Sequence, residues 1–472
     1  MKSIQNFFLI YFIIKILNIS CEPLVLNFKT RIIEGNNVME SLINNDIYTT
    51  ILVGEKKQKI EMNIKSQQGS TFVVSDSCTQ NPKATKFKEK ESRTYKEYIP
   101  STQIFMYEFR NASFASDDFI FFRNNNKEIL VKNYTFMNAQ SLWKDYQENM
   151  GGLIGLKLQE KTLDPPKPPE LTNFIDQLKE KNIINSYVFV LDYKDDNTGT
   201  LYVGDYFHNF NKSYSSHDFI SAKTGKDIHK VKDWEISVDK ILHNNQIIQN
   251  KLYIKFYYEL GIVAAPKSFK AYINNTFFKK YYDNKICKEV VNKEKIASFE
   301  KYTYIECDKN GFDKKSFPEL IFYNGEMELN FTLNYEDLFY EDENKIYFLI
   351  VFPVYYIDVD YWLMGKPFIK KYKLFLDKDK KIIGLYLNHQ EYKSDDPKNN
   401  DNNDNENKKK NTTYIIIIVI LAVVLIISLA SLLYYFLVIK KQRRVRANEL
   451  DDNFDYEAKG DDKEKSENII ND

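Results

Sequence analysis

Residues 58–78 read QKIEMNIKSQQGSTFVVSDSC and predict two strands joined by a turn. Ile60, Met62 and Ile64 alternate with polar side chains, which is the two-residue period of a half-buried strand. Small and polar residues around Gly69 then predict a turn, and the apolar run over 72–74 predicts the second strand. By its pattern alone, the stretch predicts an ordinary hairpin, in which the two strands would pair with each other.

The spacing within and before this stretch resembles the first active-site loop of the pepsin-like aspartic proteases. That family has Gly-x-Pro-x-Gln, a strand, Asp-Thr-Gly-Ser, an apolar strand with Trp, and then Cys. Gly54 and Gln58 fit the first element, although its Pro is absent. Phe72 falls at the Trp and Cys78 at the Cys. Counting from Gln58 without a gap puts Lys65 at the catalytic Asp.

Residues 254–266 resemble the family's second active-site loop. That loop reads Ile-x-Asp-Ser-Gly-Thr-Ser, followed by four mostly apolar residues and Pro. With Pro266 as the anchor, Tyr257 takes the place of the second catalytic Asp. If the loop glycines are the anchor instead, the two catalytic positions become Gln67 and Glu259. The sequence leaves both registers open.

The resemblance implies a reaction that these residues do not support. In the family, two aspartates share one proton and hold one water, which one of them activates while the other protonates the scissile carbonyl. Lys65 would supply a cation in place of a base, and Tyr257 is a poor base because a tyrosine pKa is near 10. In the other register Gln67 cannot titrate, so only Glu259 carries a carboxyl group.

Further partial matches follow in the family's order and carry the expectation of its fold. The resemblance implies an all-β, bilobal, internally duplicated fold, with lobes over 22–205 and 206–392. An amphipathic helix is predicted over 171–181, with its apolar residues on one face. The matched segments are 87–95, 151–156, 199–205, 317–322 and 363–384.

The same resemblance predicts the residues of a substrate cleft between the lobes. Tyr107 lies about where the family has its flap tyrosine, although the flap glycines are absent. Glycines at such a tip accept positive φ at low cost, so a tip without them is expected to be built differently. Ser66, Gly69, Ser70 and Gly261 are expected to lie in the cleft, which would hold a peptide or a protein segment.

Both ends of the chain carry targeting signals. Residues 1–21 combine Lys2 with an apolar run and read as a cleaved signal peptide. Residues 414–439 are almost wholly apolar and long enough to span a bilayer, and the basic residues that follow predict a cytosolic end. With a polar stalk over 393–413 and a disordered tail over 440–472, this predicts a single-pass type I membrane protein. Its ectodomain would be extracellular or in the endolysosomal lumen.

An exported ectodomain is expected to contain disulfides and glycans. Cys287 and Cys307 are the plausible bridge, closing a loop of about 20 residues and contributing roughly 3 kcal/mol. The family has a bridge in the matching part of its second lobe. Cys78 is expected either to remain a thiol or to pair with Cys21. The candidate glycosylation sites, most of which are expected to be used, are Asn111, Asn133, Asn211, Asn274, Asn330 and Asn411.

Composition narrows the classes of function. Basic and acidic residues both number 66, so no charge bias points to nucleic acid. The five His are scattered and no zinc pattern occurs, so neither a metal nor a cofactor is predicted. Three hypotheses remain for what is expected to be a monomer. They are an inactive pepsin-like ectodomain that binds peptides or proteins, an active acid endopeptidase whose dyad lies elsewhere, and an adhesion or structural glycoprotein.

Overall fold

The computed structural model describes residues 22–32, 35, 37–79, 84–103, 109–142, 150–158, 173–225, 233–292, 301–354 and 361–387. All of them belong to one compact unit, Met1–Tyr392. The predicted signal peptide, stalk, membrane span and tail lie outside these residues, as do Tyr107, Cys21 and Asn411. Across the described ranges, no helix has the length and apolar character that crossing a membrane would require.

Strands dominate the described structure. They are β1 (Leu24–Ile32), β2 (Asn45–Val53), β3 (Gln58–Lys65), β4 (Phe72–Val74), β5 (Lys96–Gln103), β6 (Phe109–Arg123), β7 (Glu128–Leu142), β8 (Gly152–Gly155), β9 (Val188–Tyr193), β10 (Thr198–Val203), β11 (Phe219–Lys223), β12 (Glu235–His243), β13 (Gln246–Phe256), β14 (Val263–Ala264), β15 (Cys287–Asn292), β16 (Tyr302–Asp308), β17 (Leu320–Asn324), β18 (Leu329–Leu333), β19 (Phe339–Glu341), β20 (Lys345–Phe348), β21 (Ile350–Pro353), β22 (Tyr361–Met364), β23 (Phe375–Asp377) and β24 (Ile382–Tyr386).

The helices are short and lie between the strands. They are α1 (Val38–Ile43), α2 (Phe174–Glu180), α3 (Phe207–Phe210), α4 (Lys267–Ile273), α5 (Lys279–Asp283), α6 (Tyr335–Leu338) and α7 (Lys366–Lys371), with a π-helical turn at Asn274–Phe278 and 3-10 turns at Glu89–Glu91, Ser216–Asp218 and Lys314–Ser316.

The strands form two sheets, and the larger one draws on both halves of the chain. Its thirteen strands run in the order β11-β24-β23-β9-β10-β1-β2-β3-β8-β4-β7-β6-β5. The second sheet runs β18-β17-β12-β13-β22-β14-β21-β16-β20-β19, with β15 paired to β16. Because β11, β23 and β24 come after residue 205 yet join the first sheet, the two halves share a continuous hydrogen-bonded layer.

The same chain path occurs once in each sheet. In the first, β3 ends at Lys65, a loop follows, and β4 returns antiparallel to β8, which is itself parallel to β3. In the second, β13 ends at Phe256 and β14 returns antiparallel to β22, which is parallel to β13. Phe72 pairs with Leu153 in one copy, and Ala264 pairs with Leu363 in the other. The expected all-β, internally duplicated fold is therefore confirmed.

Local sequence explains why β3 forms and why β12 and β13 are joined by a tight turn. Ile60, Met62 and Ile64 of β3 are buried, as their alternation predicts. β12 and β13 are joined through Asn244 and Asn245, which have φ values of 51° and 59°. Two successive positive φ values belong to the mirror-image hairpin turn, whose twist matches that of paired strands, and Asn tolerates this conformation better than most residues.

The predicted amphipathic helix is present as α2. Asn173 caps it, because its side-chain oxygen accepts a hydrogen bond from the N–H of Ile175 at 2.9 Å. Phe174, Ile175 and Leu178 are buried in the main core, as the helical spacing predicts. The polar face carries Asp176, which binds the ammonium group of Lys378 at 2.5 Å.

The structure contains the predicted disulfide between Cys287 and Cys307, which lie directly opposite each other on β15 and β16. Cys78 is buried. Asn133, Asn211 and Asn330 are exposed, whereas Asn111 and Asn274 are only partly exposed. Their glycosylation stays a prediction.

Candidate functional site

The two positions predicted to replace the catalytic aspartates lie where strands leave their sheets. Lys65 is the last residue of β3 and pairs with Gly155. Tyr257 directly follows β13, and its N–H donates to the carbonyl of Met364 at 3.0 Å. The loops that follow, 66–71 and 257–262, contact each other at the junction of the two sheets.

The contact between the loops is a set of hydrogen bonds centred on Ser66. This side chain is fully buried. Its hydroxyl donates to Oε2 of Glu259 at 2.8 Å, and its backbone N–H donates to the same oxygen at 3.2 Å. The hydroxyl oxygen also accepts from the N–H of Tyr258 at 3.3 Å. Ser66, expected to line the cleft, therefore joins the two loops, and the carboxylate of Glu259 lies beside the peptide bond that follows Lys65.

The environment of Tyr258 does not suit a catalytic role. Its ring is fully buried and stands edge-on to Phe189, with centroids 6.3 Å apart. Burial, with a smaller contribution from the negative charge of Glu259, raises the pKa of the Tyr258 phenol well above its usual value. Among the described residues, its hydroxyl has no hydrogen-bond partner. The phenol therefore stays protonated, and the uncharged side chain packs in the main core.

Gly155 and Gly365 explain how each loop can fold back against its sheet. A Cβ on Gly155 would lie 2.4 Å from the carbonyl oxygen of Gln68, and one on Gly365 would lie 2.3 Å from that of Leu260. The same two carbonyls accept hydrogen bonds from backbone N–H groups just beyond the glycines, that of Lys157 at 2.9 Å and that of Lys366 at 2.7 Å. The absence of a side chain thus permits equivalent close contacts in both copies.

Gly261, which was predicted to lie in the cleft, contacts helix α1. A Cβ there would lie 1.9 Å from the carbonyl oxygen of Leu42, at the end of α1. Its N–H donates to the carbonyl of Ile43 at 3.2 Å, and Asn44 forms a β-bridge with Leu260. Gly261 therefore lets the first-half helix α1 lie directly on the second loop.

Sequence reasoning missed the contribution of α1. Met39 and Ile43 are buried in an apolar cluster with Leu260 of the second loop. Glu40 is buried as well, and its Oε1 accepts a hydrogen bond from the amide of Asn292 at 2.7 Å. The available signal was local: Asn37 is a helix cap, and apolar residues follow it at helical spacing.

Trp234 is a second contact that the sequence did not reveal. Its indole N–H donates to the carbonyl of Leu156 at 2.8 Å inside the core. The N–H of Leu156 in turn donates to the carbonyl of Lys65 at 2.9 Å. Trp234 therefore links the start of the second half to the strand end that carries the first candidate position.

The chemistry available at the junction follows from these side chains. Of the four positions that the two registers single out, only Glu259 carries a carboxyl group, and one of its oxygens already accepts two hydrogen bonds. The amide Nε2 of Gln67 is buried without a hydrogen-bond partner among the described residues. Within the same ranges, no group of three or more His, Cys, Asp or Glu is arranged to hold a metal ion.

The hydrogen bonds of Ser66 should contribute measurably to stability. Ser66→Ala would leave the buried N–H of Tyr258 unpaired and remove one donor from Glu259. We expect the free energy of unfolding in urea to fall by about 1–3 kcal/mol. Ser70→Ala, in the same loop, is the control and should change it by less than about 0.5 kcal/mol. Equal effects of the two substitutions would show that the bonds across the junction do not stabilise the fold.

Comparisons with known proteins agree with this geometry. A family model described as eukaryotic aspartyl protease matches residues 46–387, which is more than half of the chain and includes both loops. No curated protein matched the chain.

Proposed function

The chain belongs to the eukaryotic aspartyl protease family, and from this premise we propose that its pepsin-like domain binds peptide or protein segments without hydrolysing them. The observation that carries the proposal is the contact between Glu259 and Ser66. The only carboxyl group among the four candidate positions is used to join the two loops.

Hydrolysis by this family needs two carboxyl groups with different protonation states. Their mutual repulsion separates their pKa values, so that one can accept a proton from water while the other donates one. A lysine, a tyrosine or a glutamine beside Glu259 cannot form such a pair. Without it, no group at these four positions can both activate a water and protonate the scissile carbonyl.

Binding does not need that pair, and the second loop is bordered by apolar surface. A cluster of buried residues around Leu260 and Leu363 is flanked by apolar side chains that remain partly exposed. Partly exposed apolar groups beside a few polar ones are typical of ligand sites. The flanking side chains are those of Val38, Leu42, Tyr257, Val290, Leu349 and Tyr361.

The expected result is that the full-length protein, purified in detergent, cleaves no peptide of a broad library between pH 3 and 7. An active pepsin-family enzyme under the same conditions is the positive control. Library peptides retained by the immobilised protein would identify the ligand. If the protein cleaves peptides at acid pH, and a transition-state mimic with a hydroxyl group blocks this cleavage, it is a working endopeptidase. If peptides are neither cleaved nor retained, a scaffold role is favoured.

We also propose that this domain is exported and held at a membrane as a single-pass type I protein. The support is the sequence of 1–21 and 414–439, together with the disulfide of Cys287 and Cys307, since such bonds persist in oxidising compartments. In intact vesicles, we expect the domain to be protected from added protease. A tag placed after residue 472 should be digested. Digestion of both would contradict this topology.

A further inference from the structure

Two long side chains stand at loop positions where the family pattern has glycine. The family's loops read Asp-Thr-Gly and Asp-Ser-Gly, so in the ungapped register the glycines correspond to Gln67 and Glu259. The candidate site thus departs from the pattern at these two positions as well as at Lys65 and Tyr257.

The carboxylate of Glu259 lies beside the backbone of the first candidate position, Lys65. Oε2 lies 3.2 Å from the backbone nitrogen of Ser66, which is bonded to the carbonyl carbon of Lys65. Standard backbone geometry then puts this oxygen within about 6 Å of the Lys65 Cα. A carboxyl group introduced at position 65 would share that small volume with Glu259.

Gln67 lies in the first loop, next to the residue that bonds Glu259. It follows Ser66 directly, and its amide nitrogen is shielded from solvent. The N–H of Tyr258 meets the Ser66 hydroxyl at 3.3 Å, so the loops are already in contact around these side chains. The side chains of Gln67 and Glu259 thus belong to two loops that touch through Ser66.

We propose that Gln67 and Glu259 close the space in which active relatives hold two carboxyl groups and a water, so that four positions rather than two determine the loss of hydrolysis. This inference rests on the proposed function. Restoring aspartate at 65 and 257 alone would place three carboxyl groups together. Their repulsion would favour protonation or displacement of at least one, and the side chain of Glu259 would still exclude the water.

The test is a series of variants of the full-length protein, assayed for peptide cleavage between pH 3 and 7. The first carries Lys65→Asp and Tyr257→Asp, and the second adds Gln67→Gly and Glu259→Gly. We expect no cleavage by the first variant above the background rate. The second variant should cleave at least 100-fold faster than that background, and a transition-state mimic with a hydroxyl group should block the cleavage. A third variant, with Glu259→Gln in place of Glu259→Gly, keeps the side-chain volume without its charge and should stay inactive.

A further four-position variant carries alanine instead of glycine at positions 67 and 259. Thermal unfolding verifies that each assayed variant is folded. Cleavage by the first variant at the rate of the second would overturn the inference, as would the inactivity of every folded four-position variant. Cleavage after the single change Gln67→Asp, which pairs a new carboxyl with Glu259, would also overturn it. Cleavage by the unaltered protein would instead refute the proposed function, so the two failures are distinguishable.

Discussion

Gly365→Ala is expected to lower the free energy of unfolding by about 3 kcal/mol. The new Cβ would lie 2.2 Å from the carbonyl oxygen of Ile262 and 2.3 Å from that of Leu260. Both atoms belong to backbone that cannot rotate away. The φ of Gly365 is −99°, which any residue adopts, so close approach rather than backbone conformation requires the glycine. Overpacking of this kind costs about 1–3 kcal/mol and occasionally more.

Urea denaturation of the two proteins measures this loss. Gly325→Ala is the matched control, because the nearest atom to its new Cβ is the end of the Asp239 side chain, which can move. We expect the control to cost less than about 1 kcal/mol. If Gly365→Ala unfolds at the same urea concentration as the control, the second loop does not lie as close to Gly365 as the structure places it.

His243 is expected to make the fold less stable in acid by up to about 3 kcal/mol. Its ring is buried beside Phe317, at a centroid distance of 5.1 Å, and beside Tyr272, whose hydroxyl lies 3.2 Å from Nδ1. Burial lowers the pKa of His243 to about 4, because the charged imidazole would lose its hydration. The pKa of an unfolded histidine is about 6.5, so the unfolded chain takes up the proton first. This contribution to stability is therefore present above pH 6.5 and is lost as the pH falls to 4.

The measurement is the difference in unfolding free energy between pH 7 and pH 4, in the natural protein and in His243→Phe. Phenylalanine fills the site without titrating. The unfolding free energy of the variant should therefore fall by up to about 3 kcal/mol less on acidification than that of the natural protein. His217→Gln, at an exposed position, is the control and should behave like the natural protein. An unchanged acid loss in His243→Phe would show that the buried imidazole is not what weakens the fold. The result also matters for function, because an acid endopeptidase must remain folded at low pH.

Part of the candidate site was accessible from the sequence, because it depends on order and spacing along the chain. The run of partial matches from Gly54 to Gly384 predicted the duplicated all-β fold, and the family match to residues 46–387 confirms it. Helix α2 was predicted because its apolar spacing is local. The loss of the catalytic aspartates is likewise a prediction from residue identity, and the cleavage assay is its test.

The role of Glu259 was not accessible in this way. It bonds Ser66, which lies 193 residues away, and no local pattern encodes that contact. The contact of Gly261 with α1 was not predictable either, because α1 lies more than 200 residues earlier in the chain. Nothing in the sequence near Tyr258 indicates that its ring turns into the core instead of toward the cleft.

By itself, therefore, the sequence determined the family, the duplicated chain path and the chemical groups available at the four candidate positions. These follow from residue identity and from periodicities of a few residues. The tertiary structure alone decided which of those groups meet. A hydrogen bond such as that between Ser66 and Glu259 forms only after two distant loops have been brought within 3 Å, and the packing of both sheets brings them there.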